Sequence, residues 1–86
     1  MTAWSIVHTG VEGEPALLDG VDVWKHEWQQ VPGALATVTD PLYGQELQFS
    51  VFRISGGGRV IEFAAGEFSN SVWGFFQRPK REAARG

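Results

Sequence analysis

The sequence predicts an all-β fold: a small antiparallel meander of five or six short strands, forming a curled sheet or a partly open barrel, with a mobile basic C-terminal tail. Three observations predict it. Between Leu47 and Phe63, LQFSVFRISGGGRVIEF, two apolar β-favouring runs flank a three-glycine break, the pattern of a hairpin. Turn-forming Gly, Pro, Asn and Asp punctuate the chain at close spacing. Four Trp, six Phe and one Tyr give a chain of 86 residues the bulk to close a thin two-layer structure.

Taken in order, Trp4 to Thr9 alternates and predicts an opening strand. Gly10 to Gly20 has the composition of a surface loop, with a short turn at Pro15 to Leu18. In the next segment Leu17, Val21, Trp24, Trp28 and Val31 fall at helical spacing, yet the stretch also alternates as a strand does. The Asp19-Gly20 turn signal and the β-favouring valines and tryptophans select a strand over Asp22 to Gln30. Pro32-Gly33 then breaks the chain, and Ala34 to Thr39 resumes alternation. In DPLYGQ, Asp40 to Gln45, Asp40 can cap backbone amides, Pro41 presets its own φ and Gly44 permits a left-handed exit, so a turn is expected.

Leu47 to Ile54 carries aromatics on both faces and is expected inside the sheet or between two layers. Arg59 to Ala65 follows the glycine turn, GEFSN (Gly66 to Asn70) reverses the chain, and Ser71 to Gln77 closes the meander. The expected core is Val38, Leu47, Phe49, Val51, Ile61, Phe63, Trp73 and Phe75. Residues 1–77 are expected to form a single β-rich domain and residues 78–86 a flexible basic tail.

Charge divides along the same boundary. Residues 1–77 hold nine acids against Lys25, Arg53 and Arg59, whereas the last nine residues hold Arg78, Lys80, Arg81 and Arg85 against Glu82. An acidic body is a poor phosphate-tracking surface, so nucleic acid is an unfavoured partner and a basic protein a favoured one. The absence of cysteine and of a signal-like N-terminal stretch, and of any window long enough to cross a bilayer, predicts a cytoplasmic protein without membrane contact.

Chemistry finds little foothold. Nucleophilic catalysis needs a hydroxyl or thiol beside a base, but cysteine is absent and the histidines are His8 and His26, with Ser5 near His8 the weakest of arrangements. His26 and Glu27 are neighbours that a strand would turn to opposite faces, so they do not predict a metal site. The SGGGR run lacks the following helix of a phosphate-binding loop. No enzyme activity, metal or cofactor is expected.

Binding is better supported. On a strand, Trp24, His26 and Trp28 would form a ridge of two indoles around an imidazole, flanked by Asp22 and Glu27. Tyr43, Phe68 and Asn70 fall in turns, and if those turns meet at one end of the sheet they build a second binding edge with Glu46 and Glu67. The expected function is a small acidic non-enzymatic module that engages or masks another protein. The alternatives are a homo-oligomeric assembly subunit pairing through an apolar edge strand, Leu47 to Ile54, and a small-molecule binder using His26 and Glu62.

Overall fold

The computed structural model describes residues 4–68 and 71–78. Among the described residues seven strands run in chain order: β1 (Ser5–Gly10), β2 (Leu17–Leu18), β3 (Val21–Asp22), β4 (Gln29–Thr39), β5 (Glu46–Gly56), β6 (Arg59–Glu67) and β7 (Trp73–Gln77). Five of them form one antiparallel sheet in the order β1-β7-β6-β5-β4, and β2 and β3 pair separately. The sheet is not closed into a barrel. Most of the basic tail lies outside the described residues.

The expected hairpin forms as its glycines require. Gly56 pairs with Arg59 across Gly57 and Gly58, whose φ values of 62° and 80° suit a two-residue turn that follows the twist of the strands. Asp19 and Gly20 make the same kind of turn between β2 and β3. The two turns are tied together, Arg59 Nη2 donating to the Asp19 carbonyl at 2.8 Å.

The strand expected over Asp22 to Gln30 does not form. Asp22 Oδ1 accepts from the backbone N–H groups of Trp24 and Ala16, at 3.1 and 3.2 Å, and starts a 3-10 helix over Val23–Lys25. A side chain that captures local amides offers the backbone an alternative to the sheet ladder. The Val23 carbonyl then accepts from His26 N–H at 3.2 Å and from Trp28 Nε1 at 2.8 Å, which fixes the loop up to β4.

Pro32-Gly33 is a bulge rather than a break. Between Gln30 and Leu35, five steps of β4 are matched by the two steps from Phe52 to Ser50 on β5, and the strand continues on both sides. Proline lacks the N–H a ladder needs, and β4 is an edge strand that can spare it. The other edge, β1, carries a register shift between Ile6 and His8. Irregular edges resist strand pairing with another chain. Leu47 to Ile54, the strand that edge pairing would need, lies inside the sheet between β4 and β6.

Its two apolar faces explain that interior position. Phe63, Phe75, Ile54, Ile61 and Ala65 form one cluster with Ala16, Leu18 and Val23, so the segment holding β2, β3 and the 3-10 helix roofs the first face. Val51, Ala64 and Phe76 pair across three strands on the second face and cluster with Ala36 and Val38. Of the expected core, Val38, Val51, Ile61, Phe63 and Phe75 are buried; Leu47, Phe49 and Trp73 are partly buried against the clusters.

Beside the second cluster, Glu62 receives hydrogen bonds from Arg78 and from Arg53, and the Arg78 guanidinium lies 5.1 Å from the centre of the Trp4 ring. The Arg78 hydrogen bond, with the two positive charges, holds the Glu62 carboxyl below the usual glutamate range against the opposing effect of burial. A folded pKa below the unfolded one adds stability above the ordinary glutamate value of about 4.3, and that contribution is lost as pH falls through the folded value. Glu62→Gln is therefore expected to flatten the fall of Tm between about pH 5 and pH 3 while changing Tm at pH 7 by little, since exposed ion pairs contribute under about 1 kcal/mol. Thermal melts across that range check it.

Candidate functional site

The tryptophans expected to form a ridge are built into the roof of the first face. Trp28 lies 5.1 Å, centre to centre, from the rings of Trp24, Phe52 and Phe63, and 5.9 Å from Trp73 and Phe75. Both indoles are half-buried. Without a strand the two-residue alternation that defines a ridge is lost, and His26 instead lies over the hairpin, its Cε1 only 3.0 Å from where a Cβ on Gly56 would stand. Asp22 is occupied as a cap, and Glu27 is exposed beside His26. Among the described residues no three His, Asp or Glu side chains converge as a metal would require.

The turns at the other end of the sheet do meet. A cleft of about 180 Å³ is lined by Thr9 from β1, by Asp40, Pro41 and Leu42 from the β4–β5 turn, and by Phe68 and Val72 from the β6–β7 connection. Asp40 organises the turn. Its Oδ1 accepts from the N–H groups of Leu42 and Tyr43 at 2.8 and 3.4 Å, while its backbone N–H donates to the Gln45 carbonyl and its carbonyl accepts from Gly44, both at 2.8 Å. This Asx-type turn holds Leu42 and Tyr43 outward at 69% and 72% exposure, although Asp40 itself is only 8% exposed.

Phe68 contributes from a different position than a free loop aromatic would. Its ring packs on Phe49 and Phe76, with centres 5.8 and 6.4 Å away, and the same residue forms one wall of the cleft. Glu46 and Glu67 are exposed at the adjoining ends of β5 and β6. The register puts both on the face opposite Phe49 and Phe76. Asn70 lies outside the described residues.

Neither a protein-family model nor any curated protein or solved structure matches this chain.

What the site can do follows from its size and charge. Drug-sized ligands occupy pockets of roughly 300–1,000 Å³, so a cleft this small takes one side chain rather than a whole small molecule. A larger depression, about 330 Å³, runs along Ser55, Gly56, Gly58, Arg59 and Val60, but it is shallow and open to solvent. The cleft end holds acids and no described cation, whereas the rest of the molecule carries both signs, with Asp19, Asp22, Glu27 and Glu62 among its cations. Glu12 and Glu14 follow β1 at the cleft end, where Asp40, Glu46 and Glu67 also lie. Among the described residues the cations Arg53, Arg59 and Arg78 belong to the middle and the opposite end, and Lys25 to the 3-10 helix.

Sequence reasoning placed Tyr43, Glu46, Glu67 and Phe68 at this end but missed Thr9, Leu42 and Val72. Leu42 had a readable signal: a leucine between Pro41 and Tyr43 in a capped turn has no strand face to retreat into. Among the described residues no helix is long and apolar enough to cross a membrane.

Proposed function

We propose that this chain is a small non-enzymatic binding module that engages another protein through the turn end of its sheet and masks a basic surface on it. One observation carries the reading: Asp40 holds a rigid turn that keeps Leu42 and Tyr43 in water beside an apolar cleft. An exposed leucine and tyrosine cost solubility and contribute nothing to the core, whereas a preorganised apolar tip loses little entropy when a partner covers it. The acids around the tip favour encounter with a basic surface, raising association rate more than final affinity.

The tip can be altered without touching the core. The double variant Leu42→Ser/Tyr43→Ser is expected to keep the Tm of the parent within about 2 °C, as surface substitutions do, and to lose capture of a stoichiometric partner from host lysate at low salt. Equal capture by parent and variant, read by mass spectrometry, would remove this end of the sheet as the contact surface.

A further inference from the structure

At the end of the sheet away from the cleft, one row of side chains crosses four neighbouring strands, β5, β6, β7 and β1. Arg53 on β5 faces Glu62 on β6 and donates from Nε to its Oε2 at 3.4 Å. Arg78, the residue after β7, donates from Nη2 to the other oxygen, Oε1, and its guanidinium lies over the ring of Trp4, the residue before β1. Trp4 in turn packs against the buried cluster of the second face. Through one cation and one ring, Glu62 therefore holds the start of an edge strand to which its own strand is not paired.

That start has little else to hold it. β1 pairs with β7 alone, and the register shift between Ile6 and His8 cuts Ser5 and Ile6 off from the rest of its ladder. Their partners, Gln77 and Phe76, are the last two residues of β7, next to Arg78. Segments with so few partners open locally at a fraction of the cost of global unfolding. Arg78 also begins the basic run that the sequence continues with Lys80, Arg81 and Arg85.

We infer that Glu62, Arg78 and Trp4 form an acid-released strap. Ionised Glu62 keeps residues 4–6 and the end of β7 on the sheet; its protonation frees both together and returns Arg78 to the basic run, while β4, β5 and β6 stay paired. Among the described residues the charged groups acting on Glu62 are Arg78 and Arg53, which favour its ionisation against partial burial. Strapping is therefore complete above the ordinary glutamate value of about 4.3 and is lost as pH falls through the lower folded value.

Hydrogen exchange of the full chain, read amide by amide, tests the strap. Glu62→Gln, a neutral side chain of the same shape, and Arg78→Gln are each expected to speed exchange of the protected amides among Ser5, Ile6, Phe76 and Gln77 about fivefold at pH 7. Exchange in β4 and β5 is expected to change by less than about twofold. The double variant adds nothing to either single change. Arg53→Gln leaves the link from Glu62 to Trp4 intact and is expected to alter that end by less than about twofold. In the parent, protection of the same amides, corrected for intrinsic rate, is expected to fall between about pH 5 and pH 3, and in Glu62→Gln to stay level. The Trp4 indole resonance, assigned with Trp4→Phe, is expected to shift in Glu62→Gln and Arg78→Gln and to stay in place in Arg53→Gln. Unchanged exchange and an unmoved indole in Glu62→Gln and Arg78→Gln overturn the inference. It is equally overturned by acceleration spread evenly over β4, β5 and β6, which is a weaker fold rather than a released strap, or by Arg53→Gln acting as strongly as Arg78→Gln.

Discussion

Replacing Trp28 with alanine is expected to remove a large share of the protein's stability and to lower its urea midpoint more than any other single substitution of an aromatic in the roof. The indole touches five other aromatic rings, and its Nε1 is the donor that ties the loop before β4 to the Val23 carbonyl. Truncating a fully buried Trp to Ala costs about 3–5 kcal/mol, this half-buried indole falls toward the lower end of that range, and 86 residues at typical values supply only about 4–13 kcal/mol in total. At the low end of that stability range most of the total is lost by this one change. Trp28→Phe is expected to cost less but still to leave the Val23 carbonyl short of one donor. Trp73 gives the control: its Nε1 is buried with no acceptor among the described residues, so Trp73→Phe removes an unsatisfied donor and is expected to cost less than Trp28→Phe. Urea unfolding followed by far-ultraviolet circular dichroism ranks the three. If Trp28→Ala left the midpoint unmoved, the aromatic roof would not be what holds the first face.

That expectation separates folding from binding in a way the sequence did not. Alternation along Leu47 to Ile54, the glycine hairpin and the Asp40 turn were legible because each depends on local chemistry: side-chain period, positive φ, a carboxylate near free amides. Asp22 is the same chemistry in a place where it was not recognised. Its capture of the Trp24 amide turned an expected strand into a 3-10 helix and laid both tryptophans on the core. Nothing local distinguishes an indole that seeks a partner from one that roofs its own sheet, because that choice is made by the long-range pairing of β5, β6 and β7 beneath it. The burial of Phe76 and Ala64 was missed for the same reason. On β6 their face of the sheet also carries Val60 and Glu62 and on β7 Gly74, so it reads as interior only once it is aligned with Val51 and Phe49 of β5, Ala36 and Val38 of β4, and Phe68. The cleft joins β1, the β4–β5 turn and the β6–β7 connection, three segments far apart in the chain. The exposed tip, Leu42 and Tyr43, and the turn aromatic Phe68 could be read locally, but their meeting with Thr9 and Val72 could not.

Two glycines inside strands are expected to be as sensitive as core residues. Gly66 and Gly74 pair directly across β6 and β7, where an interior glycine weakens a strand and needs a reason. The reason is the pair of rings lying over them. A Cβ on Gly66 would stand 2.6 Å from Phe49 Cδ1, with two more ring atoms within 2.8 Å, and a Cβ on Gly74 would stand 2.6 Å from Phe68 Cζ. Both distances are well inside van der Waals contact, so alanine at either position must displace a ring, and overpacking of this kind costs about 1–3 kcal/mol. The two positions differ in what can yield. Phe49 is held in the middle of the sheet with several ring atoms facing Gly66, while Phe68 meets Gly74 with its far edge and comes from a connecting segment. Gly66→Ala is therefore expected to be the more destabilising, and combining it with Phe49→Leu is expected to recover part of the loss, a coupling that only neighbouring residues show. Gly74→Ala is expected to act on binding instead: pushing Phe68 outward narrows the cleft it lines, so partner affinity should fall with a smaller change in the urea midpoint. Equal effects of the two substitutions on stability, with no rescue by Phe49→Leu, would mean that the rings do not rest on this glycine floor in solution.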